Sequence, residues 1–260
     1  MKPAEEHSQG RKLLTAVERI LSDTDSLIAL AERFLQRARE AQASSDERAR
    51  TLAAAEAVSH FSNRAAIAGG LTAAPAIIPG AGTLVAAVGG ALADVGFLLK
   101  FEVEMALVLS HLHGFDIRQD DERQLAFLLA SVSTYDARGG ENVLVDMAKA
   151  EGVALWRYGP REVSKLLVGV LTRLAFQQVG KGLMRVLPLV GIAVGSSMNK
   201  VLTGRVGERC IRDLGKRRDF LAAQARKSPA KAKKVQDVVE ATVHHFPSKK
   251  RPQKRTGRKS

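Results

Sequence analysis

The stretch from Ala65 to Ala93 runs for 29 residues without a charged side chain. Pro75 and Pro79 interrupt it, and the turn-forming sequence Pro79-Gly80-Ala81-Gly82 lies near its middle. Apolar surface of this extent is stable only when protein or lipid covers it. We therefore expect a Gly/Ala-rich apolar helical hairpin whose second arm continues as a helix from about Thr83 to His113, where Gly114 ends it.

The rest of the chain has the spacing of helices. Apolar residues recur every three or four positions between Arg11 and Ala41, which predicts one long amphipathic helix. Ser44 and Glu47 have capping-box spacing and predict a second helix to about Phe61. Further helices are expected from Asp120 as cap to about Thr134, from the loop at 138–140 to Ala150, from Gly159-Pro160 to Gln178, and from Pro188 into the basic region.

Composition agrees with an all-α fold. Hydrophobic residues make up 45% of the chain but aromatic residues only 5%, so the core consists of small and branched side chains that suit close helix packing. We predict a multi-helix bundle with three parts. These are an amphipathic hairpin (1–64), a helical core (65–218), and a basic helix followed by a disordered tail (219–260).

The positive charge is concentrated at one end of the chain. Residues 1–204 hold 22 Lys and Arg against 22 Asp and Glu, whereas residues 205–260 hold 18 against 5. Cys210 is the only cysteine, so the chain forms no internal disulfide, and the N-terminus lacks the shape of a signal peptide. A cytoplasmic location, at the inner face of the membrane, is therefore expected.

A weak internal repeat follows two prolines. After Pro79 and Pro188, small residues stand at the third and seventh positions, and Gly90 and Asn199 stand at the eleventh. A four-residue period of small side chains forms a flat ridge that allows close helix approach, although an Ala/Gly-rich chain also produces such spacing by coincidence. The small residues of the two ridges are Gly82, Ala86, Gly90, Gly191 and Gly195.

Two blocks of the chain have a motif order typical of a known family. Residues 76–131 contain a Pro-Gly turn, an Ala-Asp pair in a long helix, a Gly-Phe-Asp turn and an acidic-Arg helix start. Residues 179–210 contain a Lys, Pro, Gly, Asn and Arg-Val-Gly pattern. In these blocks the chain resembles the EcsC protein family, and it departs from that family at His113, where an aromatic residue is usual. The resemblance spans about residues 65–218 and implies membrane association without an established activity.

Asp94 is the only charged residue between Arg64 and Lys100 and continues the first ridge at the same spacing. A buried carboxylate needs a partner, and the candidates are Asn199, Lys200 and Arg205 near the end of the second ridge. Asp94 then serves either as a polar clamp between helices or as a catalytic or proton-carrying group.

Other candidate motifs carry no chemistry. Gly80 and Gly82 lack the third glycine of a dinucleotide-binding loop, because residue 85 is Val. Gly180 and Lys181 lack the earlier glycine and the following Ser or Thr of a phosphate-binding loop. His111 and His113 fall on different helix faces, as do Glu102 and Glu104, so we expect surface or capping histidines and solvent-facing glutamates. No metal centre, cofactor or catalytic residue is predicted.

Three functions remain open. The first is a non-enzymatic protein held at an anionic membrane by its basic tail. Its apolar hairpin is either buried in the protein or inserts shallowly as a second anchor, because one Asp offsets most of the insertion energy of residues 81–99. The second is nonspecific contact with nucleic acid through the same tail, and the third is an enzyme with a site near Asp94. The sequence does not identify a protein partner. The cations expected to bind an anionic surface are Lys249, Lys250, Arg251, Lys254, Arg255, Arg258 and Lys259.

Overall fold

The computed structural model describes residues 3–41, 45–70, 90–138, 157–181 and 188–227. Within these ranges the chain forms helices and no strand, which confirms the prediction of an all-α fold for this part of the protein. Most of the expected apolar hairpin, the helix expected near Ala150 and the tail after residue 227 lie outside the described residues. The helices are α1 (Pro3–Ile20), α2 (Thr24–Glu40), α3 (Asp46–Gly70), α4 (Gly90–Leu112), α5 (Asp120–Ala137), α6 (Pro160–Lys181) and α7 (Pro188–Lys227).

Helix α4 lies at the centre of the bundle. It packs against α1, α2, α3, α5 and α6, and every residue from Val95 to Ser110 is buried. Around it, α1 packs on α6, α2 on α3, and α5 on α6. Side chains from all seven described helices meet in one hydrophobic core. The helices before and after residue 64 therefore share their core, and α3 runs across that position.

The prediction of one helix from Arg11 to Ala41 is wrong. The chain leaves helical geometry after Ile20, and α2 begins at Thr24. The Asp23 carboxylate caps α2 by accepting a hydrogen bond from the Ser26 backbone N–H at 2.9 Å. The periodicity continues through the break because both helices present apolar faces to the same core, but the backbone at residues 21–23 turns between them.

Several helix ends lie where the sequence places them. Gly114, with a φ of +90°, ends α4, and His113 Nδ1 lies 2.7 Å from the Leu109 carbonyl oxygen, which confirms a capping histidine. Pro160 and Pro188 are the first residues of α6 and α7, as predicted, and α7 continues into the basic region.

Two helix starts differ by one residue from the prediction. Asp120 is the first residue of α5, whereas the cap position is Gln119, whose side chain makes no capping bond. Helix α3 begins at Asp46, and the Ser45 hydroxyl accepts a hydrogen bond from the Arg48 backbone N–H at 3.2 Å. Ser44, the predicted cap, lies outside the described residues.

Glycines mark two close helix approaches. At Gly10 of α1, a Cβ atom would lie 2.6 Å from the Val168 carbonyl oxygen of α6. At Gly207 of α7, a Cβ atom would lie 2.6 Å from Val58 Cγ2 of α3. Real Cβ atoms do not approach neighbours so closely, so both contacts depend on the missing side chain.

The chain divides into two compact units, residues 1–216 and residues 217–260. All the packing above belongs to the first unit. In the second unit the structure describes residues 217–227, the C-terminal end of α7, where Leu221 is exposed.

Candidate functional site

Helix α4 carries two buried glutamates. Glu102 is 0% exposed and Glu104 is 1% exposed, so the prediction of solvent-facing glutamates is wrong. The prediction failed because divergent faces were expected to include a solvent face, whereas neighbouring helices cover α4 on every side. The signal was present in the sequence, since apolar residues occupy all faces of the helix between Val95 and Leu109.

Glu104 belongs to a buried ion pair. Its Oε1 atom accepts from Lys100 Nζ, one turn earlier on the same face, and from the Ser22 backbone N–H at 2.7 Å. Lys100 is also buried. The two charges compensate each other, and the third group in the contact is the backbone of the break between α1 and α2.

Glu102 joins three helices on the opposite side of α4. Its Oε2 atom is in hydrogen-bonding contact with the Thr134 hydroxyl of α5, and its Oε1 atom accepts from the Thr203 hydroxyl of α7 at 3.2 Å. Both threonines are buried. Thr134 Oγ1 also lies 2.8 Å from the Ala130 carbonyl oxygen of its own helix.

Burial sets the protonation of this carboxyl. Because Glu102 is removed from water, its pKa rises from 4.5 to about 7. The hydrogen bonds with Thr134 and Thr203 and the positive charge of Arg138 offset only part of this increase. A buried carboxyl that titrates near neutral pH is a feature of functional sites and of structural networks alike.

Charged groups extend this contact along α5 and α7. Arg209 of α7 pairs with Asp136 of α5, and its Nε atom lies 3.7 Å from Asp213 one turn later. Cys210 is buried beside them. Burial, and to a smaller extent the negative charge of Asp213, raises the pKa of its thiol to about 12. A thiol with this pKa stays protonated and has little nucleophilic character. Glu102, Thr134, Asp136, Thr203 and Arg209 form what we call the polar seam.

A small cavity lies between α1, α4, α5 and α6. Its volume is about 110 Å³, and Glu18, Asp120 and Arg123 provide its charged lining. Burial raises the pKa of Glu18, and Arg123 partly opposes that effect. The volume is well below the roughly 300 Å³ of a typical small-molecule site. Within the described part of the chain, His, Cys, Asp and Glu side chains form no group of three or more that fits a metal ion.

Helices α3 and α7 run in opposite directions where they touch. Gly207 faces Val58, and Gly204 faces Ser62, so residue numbers fall on α7 as they rise on α3. The C-terminal end of α3 and the first described side chains of α7 therefore lie at the same end of the helix pair.

That end combines exposed apolar side chains with cations. Ile67 is 61% exposed, Met198 53% and Val201 52%. Three exposed cations accompany them, and neither residues 57–70 nor residues 188–207 contain an acidic residue. We call this set the basic–apolar end, and it consists of Arg64, Ile67, Met198, Lys200, Val201 and Arg205.

The predicted site residues have different positions. Lys200 and Arg205 are exposed and Asn199 is half-buried, whereas Thr203, which no motif indicated, is the residue of α7 that meets a buried carboxyl. Gly90, Gly191 and Gly195 lie in helices, but their surroundings and the Asp94 side chain are outside the described part. Gly82, Ala86 and the seven cations of the tail are also outside it. The ridge and the Asp94 clamp stay predictions.

The fold and these clusters define the class of the protein as an all-α helical bundle with a polar seam between helices. Compared with family models, curated proteins and solved structures, the chain matches none. Among the helices of the described ranges, none has the length and hydropathy needed to cross a bilayer.

Proposed function

We propose that this protein is a non-enzymatic helical protein that associates peripherally with an anionic membrane surface. The observation that carries the proposal is the basic–apolar end, where three exposed cations and three exposed apolar side chains occur in acid-free segments. Anionic lipid attracts each Lys or Arg near the surface by about 1 kcal/mol, and apolar side chains gain by leaving water at the interface.

Two further features support membrane binding by this protein. The Arg64 guanidinium lies 5.5 Å from the centre of the Phe101 ring, which favours a defined position for this cation beside Ile67. In addition, residues 248–259 hold seven Lys and Arg and no acid, so the C-terminal segment adds attraction to any anionic surface. We further propose that the chain is related to the EcsC family, a relationship that would also imply membrane association.

Cosedimentation with vesicles tests the proposal. The full chain is expected to pellet with vesicles that contain anionic lipid and to stay in the supernatant with neutral vesicles. Lys200→Glu with Arg205→Glu should weaken the anionic binding by about tenfold or more, because the end then carries negative charge. The control is Arg161→Glu with Lys165→Glu, which makes the same charge change on the exposed face of α6.

The apolar contribution has its own variant pair. Met198→Ser with Val201→Ser should weaken vesicle binding by about tenfold and make the remaining binding more salt-sensitive. Leu52→Ser, at an exposed position on α3 beyond the contact with Gly207, is the control and should bind as the unaltered chain. Equal binding to neutral vesicles, or binding to DNA but not to anionic vesicles, would contradict the proposal.

A further inference from the structure

The Thr134 hydroxyl lies between two oxygen atoms that compete for one proton. Thr134 Oγ1 is 2.8 Å from the Ala130 carbonyl oxygen and in hydrogen-bonding contact with Glu102 Oε2. A carbonyl oxygen only accepts, an ionised carboxylate only accepts, and a hydroxyl has a single proton to donate. Both bonds form together only when Glu102 is protonated and donates to Thr134, while Thr134 donates to Ala130.

We propose that Glu102 is a proton-operated latch that fixes α7 against α4 and α5. In the latched state the carboxyl donates from Oε2 to Thr134 and accepts at Oε1 from Thr203. When the proton leaves to solvent, the hydroxyl of Thr134 serves only one of its two acceptors, and a full negative charge lies between the three helices. Opening of α7 then relieves this charge by returning it to water.

The charged groups around Glu102 do not cancel the cost of ionising this buried carboxyl. From the end of α5, Arg138 stabilises the ionised form, but less than burial disfavours it. On α7, Arg209 is paired with Asp136, and its Nε atom lies 3.7 Å from Asp213. Asp213 and Glu102 both lie close enough to Cys210 to raise the pKa of its thiol. On α4 itself, Lys100 is bound to Glu104 on the opposite face.

The pH range of the latch follows from the direction of the pKa change. The folded pKa of Glu102, about 7, lies above the ordinary 4.5, so its contribution to stability is complete below pH 4.5 and is lost as the pH rises to about 7. The opening equilibrium of α7 should increase about tenfold per pH unit across that window and level off above it.

Infrared spectroscopy and amide hydrogen exchange of the full chain test the latch. We expect a band of a buried protonated carboxyl that disappears near pH 7 and is absent in Glu102→Gln. Protection of α7 amides between Thr203 and Leu214, corrected for intrinsic exchange, should fall between pH 4.5 and about 7 and then level off, while protection of α6 amides between Val163 and Leu174 changes less. The control Glu18→Gln removes another carboxyl with a raised pKa and should leave the α7 behaviour intact.

Three results would overturn the latch. One is the absence of a carboxyl band that titrates above pH 6 in the unaltered chain. Another is equal loss of protection in α6 and α7, which indicates global unfolding, and the third is an unchanged pH dependence of α7 in Glu102→Gln. Because the first two measurements use the unaltered chain, they decide the question even if Glu102→Gln does not fold. The latch does not require membrane association, so vesicle results leave it unaffected.

Discussion

At the scale of single residues, the centre of this bundle contains charge where a helical core normally contains only apolar groups. Lys100 and Glu104 are buried together and neutralise each other, and Ser22 donates its backbone N–H to the same carboxylate. Such a pair contributes little net stability compared with apolar residues, but losing one partner leaves a buried charge uncompensated. The two residues are therefore energetically coupled.

Glu104→Gln should destabilise the protein by about 3 to 5 kcal/mol, because Lys100 is left buried beside a neutral amide. Adding Lys100→Met should restore most of this loss, since neither charge then remains in the core. Glu56→Gln is the control, because the Arg37–Glu56 pair is exposed and its loss should cost at most about 1 kcal/mol. Urea unfolding is measured for the unaltered chain, Glu104→Gln, Lys100→Met alone, the double variant and Glu56→Gln. Additive effects of the two core changes would exclude the coupling.

At the scale of helices, close packing depends on glycines at two crossings. Gly10 brings α1 to the backbone of α6, and Gly207 brings α7 to Val58 of α3. Neither glycine has a positive φ, so its role is to leave space rather than to permit a turn. The ridge predicted from the sequence uses the same principle at Gly90 of α4 and at Gly191 and Gly195 of α7, whose surroundings lie outside the described residues.

Gly10→Ala should lower the free energy of unfolding by about 1 to 3 kcal/mol, because the added methyl group meets backbone atoms of α6 that cannot rotate away. Gly207→Ala should also lower the free energy of unfolding, because the added methyl group meets the Val58 side chain. The matched controls are Gly169→Ala on α6 and Gly215→Ala on α7, where a Cβ atom meets nothing within 4 Å. These should stabilise the helices by about 0.5 to 1 kcal/mol. If the Gly10 and Gly207 variants melted at the same temperatures as the two control variants, the close approach of the helices would be refuted.

At the scale of the whole molecule, the excess positive charge is concentrated in the C-terminal part of the chain. Residues 1–204 are balanced, and the excess of positive charge belongs to residues 205–260. The part of α7 in the first unit connects these two regions, since it carries core residues such as Val206 and Leu214 on one face and exposed cations on another.

Removal of residues 247–260 should weaken binding to anionic vesicles at low salt and leave the melting temperature unchanged. The reason is that a Pro-containing polar segment buries little apolar surface, whereas its seven cations attract anionic lipid. Vesicle sedimentation and circular dichroism melts measure the two effects. A lower melting temperature would show that the segment contributes to the fold, and undiminished binding would assign the attraction to the basic–apolar end alone.

The amino-acid sequence by itself determined the local features of this protein. Three- and four-residue spacing predicted helices, and the glycine at 114 and the prolines at 160 and 188 predicted three helix ends where the structure has them. These features depend on backbone geometry within a few residues, so they are readable without knowledge of neighbours. The division of charge between the two regions is likewise a property of the linear chain.

The tertiary structure alone decided which polar groups are buried and which helices meet. The break at residues 21–23 includes a hydrogen bond from Ser22 to Glu104, 82 positions away, and Glu102 meets Thr203 from 101 positions away. No periodicity encodes such partners, because burial depends on which faces the other helices cover. The sequence showed α4 as apolar on all faces, but only the packed bundle made both of its glutamates interior groups with specific partners.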